Sequence, residues 1–187
     1  MANNLSVKFL NVTWKGFENE CINLSKKIKG LKINKIIAIS RGGLVAARIL
    51  SDLLTIKISH ISISSYKNLK QEKEPMISDV PKDNFKSKVI LIVDDVSDSG
   101  KTLKRAIRYF KDLSVKKIYT ATPYVKPNTI QIPDFWTIKT NSWIIFPYEI
   151  KETAKAFVKL FKSKKKAFNR LVSLGFNKKI INYILSE

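Results

Sequence analysis

Val89-Ile90-Leu91-Ile92-Val93-Asp94-Asp95-Val96-Ser97-Asp98-Ser99-Gly100-Lys101-Thr102 is the stretch that decides how this chain folds. Its first five residues form an unbroken apolar, mostly β-branched run, the pattern of a parallel strand buried on both faces. Two carboxylates close the run, and the alternation of side chains along a strand sends them to opposite sides. A turn rich in hydroxyls and backbone amides follows, and Leu103 to Lys111 reads as a helix. In an α/β sheet, ligands bind beyond the carboxyl ends of the strands, and a helix N-terminus attracts phosphate. The stretch therefore offers carboxylates to a polyol and a cradle to a phosphate, about one helical turn apart. A phosphorylated sugar fits that pairing.

Gly100-Lys101-Thr102 also matches the end of a nucleotide-triphosphate P-loop. That motif needs a glycine five residues before Gly100, where this chain has Asp95. A carboxylate there would repel a triphosphate, so the P-loop reading is rejected.

Upstream, Lys35 to Ser40 reads as a second buried strand that runs into Arg41-Gly42-Gly43 and a helix from Leu44 to about Leu54. Glycines directly after a strand permit a sharp turn and bring backbone amides close to an anion, and Arg41 adds a fixed charge. Beside the Asp94-Asp95 strand, this turn becomes a second anion site. Further upstream, Trp14, Phe17, Cys21, Leu24 and Ile28 recur at helical spacing, with Thr13 as N-cap and Gly30 as stop. Cys21 sits on the apolar stripe and reads as a buried structural thiol.

Ile56 to Ser64 alternates like a half-exposed strand, with His60 beside serines as a surface or satisfied histidine and not a catalytic one. Residues 65 to about 88 are polar, lysine-rich and interrupted by Pro75 and Pro81, which reads as a loop of the kind that serves as a lid. Downstream, Val115 to Ala121 is the next strand, a polar link leads to Trp136, and Trp143 to Glu149 supplies a short final strand. From Ile150 the chain becomes lysine-rich helix, with apolar stripes at Ala154, Phe157, Val158 and Phe161, at Phe168, Leu171 and Val172, and at Ile180, Ile181, Ile184 and Leu185. Such short amphipathic helices need a partner surface.

The chain has 187 residues, 44% of them hydrophobic, enough for one good core. One cysteine rules out an internal disulfide and one histidine a histidine-rich metal site. No apolar run spans a bilayer and no secretory leader is evident, so a reducing, cytoplasmic location is expected, with no membrane partner. The formal charge of +20 points to anionic partners without choosing among them.

The order of apolar strand, Asp94-Asp95, two residues, then Asp98-Ser99-Gly100-Lys101-Thr102 resembles the signature of the type I phosphoribosyltransferases, which bind phosphoribosyl pyrophosphate (PRPP). Ser40-Arg41-Gly42-Gly43-Leu44-Val45 resembles the pyrophosphate loop of their xanthine-guanine members, and the resemblance runs from about Val12 to Glu149. It implies an α/β fold: a parallel-sheet core flanked by helices, with a small hood. Residues 1–149 would form that domain, including a mobile loop at about 65–88 that begins with Ser65-Tyr66, and 150–187 a basic helical C-terminal extension. It also implies a cis peptide between Ser40 and Arg41.

The implied activity is purine salvage, in which a 6-oxopurine base (hypoxanthine, guanine or xanthine) and PRPP give a nucleoside 5′-monophosphate and pyrophosphate with Mg2+. Asp94 and Asp95 would hold the ribose hydroxyls and, directly or through water, the magnesium. Asp98, Ser99, Gly100, Lys101 and Thr102 would hold the 5′-phosphate, and Ser40, Arg41, Gly42 and Gly43 the pyrophosphate. Asp98 would be the general base. Lys126 would meet the oxo group of the purine, Trp143 would stack on its ring, and Ile144 would hold it through the backbone. A homodimer or higher homo-oligomer is expected, and specific nucleic-acid binding is not. The alternative is a PRPP-sensing regulator of the same fold that binds nucleic acid through its basic surface.

Overall fold

The computed structural model describes residues 8–67 and 70–186, the side chains of 65–67 and 70–74 excepted. Contacts divide the chain into a larger unit, Phe17–Thr140, and a smaller one made of residues up to Gly16 and from Asn141 onward.

The larger unit is built on the two apolar runs. Strand β2 (Lys35–Ser40) and strand β5 (Val89–Val93) lie side by side and parallel, Ile36 opposite Leu91 and Ala38 opposite Val93. Strand β3 (Ile58–Lys67) adds in parallel on the far side of β2, and strand β7 (Lys117–Val125) on the far side of β5. The sheet order is β4-β3-β2-β5-β7-β6, with β8 (Phe135–Lys139) on β7, where β4 is Lys70–Asp79 and β6 is Val96–Ser97. Among the described residues of this sheet only β4 runs antiparallel to its neighbour.

Both faces of the central strands are covered, which is why they read as continuous apolar runs. Ile37, Ile39, Ile61, Ile90 and Ile92 pack with Leu103, Ala106 and Phe110 of helix α3 (Lys101–Asp112). Phe110 meets Phe85 edge-on at 5.1 Å and is fully buried, so Phe110→Ala would cost about 3–5 kcal/mol. Helix α2 (Gly43–Leu54) buries Ala46, Ala47 and Leu50, and helix α1 (Trp14–Ile28) buries Phe17, Cys21, Leu24 and Ile28, as the spacing requires. Phe17 stacks on Tyr124 of β7 at 6.5 Å. Burial first, and the charges of Glu20 and Glu18 next, push the Cys21 thiol up to about 12, so it stays neutral and inert. Trp14 leaves the expected stripe and stands exposed.

Two stretches differ from the sequence reading. Residues 70–79, read as loop, form the edge strand β4, antiparallel to β3 with register shifts near Ser62 and Ser64. An edge strand needs no apolar face and tolerates Pro75, so composition hides it. The link after Val125 holds β8, whose ladder with β7 skips Pro123, a residue with no N–H to donate. The alternation of β8 is only half-buried, which weakens its signal.

In the smaller unit, β1 (Phe9–Asn11) pairs in parallel with β9 (Trp143–Ile145). Helices α4 (Ile150–Phe161), α5 (Lys164–Ser173) and α6 (Lys178–Ser186) bury Ala154, Phe157, Ala167, Leu171 and Ile181 with Ile145 of β9. Phe9 meets Phe157 edge-on at 5.0 Å, and Asn11 Nδ2 donates to the Leu174 carbonyl at 2.7 Å. The stripes read from sequence thus find their partner surface in each other and in β1 and β9. The smaller unit thus joins the residues up to Gly16 with those from Asn141 onward.

Candidate functional site

The carboxyl ends of β2 and β5 lie next to each other, and the two turns read from sequence meet there. Asp94 and Asp95 are buried despite their charge. Their backbone is fixed to β7: Asp94 N–H donates to Ala121 O at 3.2 Å, and Asp95 O accepts from Tyr124 N–H at 3.2 Å. The Asp94 carboxylate accepts the N–H of Asp95 at 3.0 Å and the N–H of Gly43. Burial above all, and the charge of Asp95 next, hold the Asp94 carboxyl well above its ordinary range.

The Ser40–Arg41 peptide is cis, as the resemblance implied. Ser40 Oγ bonds Ser62 Oγ of β3 at 2.8 Å, and Leu44 N–H donates to Arg41 O at 3.2 Å as α2 begins. The glycines here are required by space. A Cβ on Gly42 would lie 2.7 Å from Asp95 Cγ, and one on Gly43 would lie 2.9 Å from Asp94 Cα and press on the Val93 carbonyl. The N-terminus of α2 therefore touches the acidic pair, and Arg41 stands exposed at the mouth of this turn.

Beyond Asp95 the chain passes through β6 into the turn Asp98-Ser99-Gly100. Gly100 is the residue before α3, with φ of +80°, a left-handed conformation that favours glycine. As N-cap it brings no side chain to the first amides of α3, which have no intrahelical acceptor. Ser99 Oγ accepts from Lys101 N–H at 3.4 Å. Asp98 and Ser99 are exposed, Lys101 and Thr102 half-buried. The arrangement is an open ring of amides and hydroxyls at a helix N-terminus, suited to a phosphate.

A third segment, which sequence reasoning missed, fixes this turn. Ser97 is buried, and its hydroxyl bonds Thr129 Oγ1 at 2.8 Å and the Gln131 carbonyl at 2.7 Å. Ile130 N–H donates to Ser99 O at 3.1 Å and Lys126 N–H to Ser97 O at 3.0 Å. Lys126 is thus tied by its backbone to β6, the strand that leads into the Asp98-Ser99-Gly100 turn. Thr129 and Gln131 stand in a polar link with no periodicity, and Pro127-Asn128 signals only a turn.

The structure brings together Ser40, Arg41, Gly42 and Gly43 with Asp94 and Asp95, and Asp98 to Thr102 with Lys126. Ser65 and Tyr66 lie on β3, their side chains outside the described residues. Trp143 and Ile144 stand on β9 of the smaller unit, the tryptophan exposed and the isoleucine buried. His60 is exposed, its Nε2 3.1 Å from Asp79 Oδ2.

Magnesium chemistry fits the donors. Asp94 and Asp95 adjoin and are buried, Asp94 held high by burial first and by the charge of Asp95 next, and together they would supply the oxygen ligands a hard cation takes. Among the described residues no cluster of three or more His, Cys, Asp or Glu is placed to hold a metal, so water and substrate oxygens would complete the shell. No helix among the described residues is long and apolar enough to cross a membrane.

Comparison with known proteins bears on the family and the fold. The model of the phosphoribosyl transferase domain matches residues 12–153. A xanthine-guanine phosphoribosyltransferase of Cereibacter sphaeroides is 33% identical over 120 residues, covering 62% of this chain and 68% of the relative. The crystal structure of a purine phosphoribosyltransferase from Pyrococcus horikoshii superposes with a TM-score of 0.69 at 35% identity, over 75% of this chain and 93% of that one. A Helicobacter pylori xanthine-guanine-hypoxanthine phosphoribosyltransferase shares the fold, with a TM-score of 0.67 at 23% identity over 79% of this chain and 98% of the other.

Proposed function

Because the chain belongs to the phosphoribosyl transferase family, we propose that it is a purine phosphoribosyltransferase that joins a 6-oxopurine to PRPP and releases pyrophosphate. The observation that carries this reading is the contact of the Gly42-Gly43 turn with the Asp94-Asp95 pair, one strand away from the amide ring at Gly100. Sugar hydroxyls, 5′-phosphate and pyrophosphate thus each find a complementary group in one unit. The names of the Cereibacter and Pyrococcus relatives support the purine.

In the reaction the bond from C1′ of the ribose to the pyrophosphate oxygen breaks, and one from C1′ to an imidazole nitrogen of the purine forms. Asp94 and Asp95 accept hydrogen bonds from the ribose hydroxyls and leave negative charge near a ring that becomes positive. The amides and hydroxyls from Asp98 to Thr102 anchor the 5′-phosphate. Arg41 and the amides of Gly42 and Gly43 receive the leaving pyrophosphate. Asp98, exposed at the edge of the phosphate turn, takes the proton that the purine nitrogen loses. Magnesium bound at the acidic pair would supply charge neutralisation of the pyrophosphate.

Lys126 donates and never accepts, so it selects an oxo group over an exocyclic amine, and the exposed face of Trp143 is available to stack on a flat base. The β3–β4 hairpin, in place of an irregular loop, is the element that would shield the activated sugar from water. A panel of hypoxanthine, guanine, xanthine and adenine, assayed with PRPP and magnesium by ultraviolet change, tests the reading. Nucleotide formation with the oxo bases and not with adenine is expected. Lys126→Ala should weaken the oxo bases selectively, and an equal loss with every base would remove that role.

A further inference from the structure

Helix α3 carries five cations, Lys101, Lys104, Arg105, Arg108 and Lys111, and one acid, Asp112. At 100° per residue the five fall within an arc of about 120°, opposite the face that buries Leu103, Ala106 and Phe110. They repeat at three- and four-residue spacings, where like charges repel, and Lys101 and Lys104 stand in the first turn, where the helix dipole disfavours them. No side chain of the five has a hydrogen bond or ion pair among the described residues. Helix α2 offers the contrast, because its Arg48 is answered by Asp52 one turn on, at 3.4 Å. Nothing in the described fold repays this crowding, so its use lies outside the fold.

We infer that the outer face of α3 is a docking surface for the backbone of a nucleic-acid strand, bound without regard to sequence. Charge complementarity selects the occupant. From Lys101 to Lys111 the row spans about 15 Å, long enough to lie along several consecutive phosphates of one strand. A membrane surface is disfavoured, because the apolar side chains of α3 are spent in the core and none is left to insert. The stripe holds no aromatic platform on which bases could be read, since Tyr109 packs against the core. Apart from Lys101, which also borders the turn at Gly100, this surface is independent of the catalytic reading and stands or falls without it.

The test is fluorescence anisotropy of the full chain with a mixed-sequence single-stranded RNA of about twenty nucleotides across a salt series. The variant is Lys104→Gln, Arg105→Gln, Arg108→Gln and Lys111→Gln together, with Lys101 kept because it belongs to the phosphate turn. Expected are a salt slope smaller by about 2–3 and an affinity at low salt at least about tenfold weaker than wild type. Removing four tail cations instead, Lys155, Lys159, Lys165 and Lys166 each to Gln, should leave the larger part of the slope. The melting temperature at low salt should rise in the α3 variant as repulsion is relieved. Were it to fall, the single variants Lys104→Gln and Arg108→Gln, each lowering the slope by about 0.7, would carry the test. Wild-type slope and affinity in the α3 variants would overturn the inference. So would binding of the wild-type chain to anionic vesicles but not to RNA.

Discussion

At the end of β2 the chain turns into α2 within Ser40, Arg41, Gly42 and Gly43, whereas from the end of β5 it needs seven residues, those of the short strand β6 among them, before α3 begins. The first turn is shaped by close packing: its glycines lie against the Asp95 carboxylate and the backbone of Val93 and Asp94, with no room for a Cβ. The second is shaped by hydrogen bonds brought from elsewhere, from Thr129, Ile130 and Gln131, around a buried serine. A site can thus be held by exclusion, which local sequence records as glycine here and again at Gly100, where a Cβ would lie 2.6 Å from Gln131 N, or by bridging from distant segments, which it does not record. The two should fail differently.

The largest effect is expected in the bridged turn. Asp98→Asn removes the proposed proton acceptor and leaves the amide ring around Gly100 intact, so turnover should fall about a hundredfold to ten-thousandfold. PRPP binding should be nearly unchanged. Steady-state kinetics beside calorimetric binding separates the two, and unchanged turnover would end that role for Asp98.

In the packed turn, substitution should act through space. Gly43→Ala meets backbone, which cannot swing aside, and is expected to cost about 1–3 kcal/mol of stability. Gly42→Ala meets the end of the Asp95 side chain, which can move. It should leave the melting temperature near wild type and weaken PRPP binding instead. Thermal melts and binding on both variants check the pair, and equal melts would contradict packing as the shaping force.

The smallest effect is a gain. The Asp94 carboxyl titrates higher in the folded protein than in the unfolded chain. Folding is therefore penalised as pH rises from the ordinary carboxylate range through the raised value, and by a constant amount above it. Asp94→Asn removes the penalty. Without ligand or divalent cation, the variant should melt higher than wild type near pH 8, and the gap should close as pH falls toward about 4. Magnesium-assisted PRPP binding should be lost in the same variant.

Much of this was legible because burial and spacing write directly into sequence. Val89–Val93 and Lys35–Ser40 are buried on both faces, and the cores of α1 and α3 follow their periodicity. The turn glycines and the acidic pair could be read for the same reason, since each position admits few residue types. What stayed hidden depends on partners distant in the chain. Strand β4 is defined by its ladder with β3 and not by an apolar face. Thr129 matters only because Ser97 lies opposite, 32 residues away. The extent of the smaller unit follows from β1 meeting β9 across more than a hundred residues, which no local pattern announces.

The proposal that one sugar phosphate is gripped between the two turns of the larger unit is tested most directly by isothermal calorimetry of PRPP with and without magnesium. Saturable binding that magnesium strengthens, abolished by Asp94→Asn and weakened by Gly42→Ala, is the predicted result. Heat indistinguishable from dilution in both conditions, or binding indifferent to magnesium and to both substitutions, would contradict it.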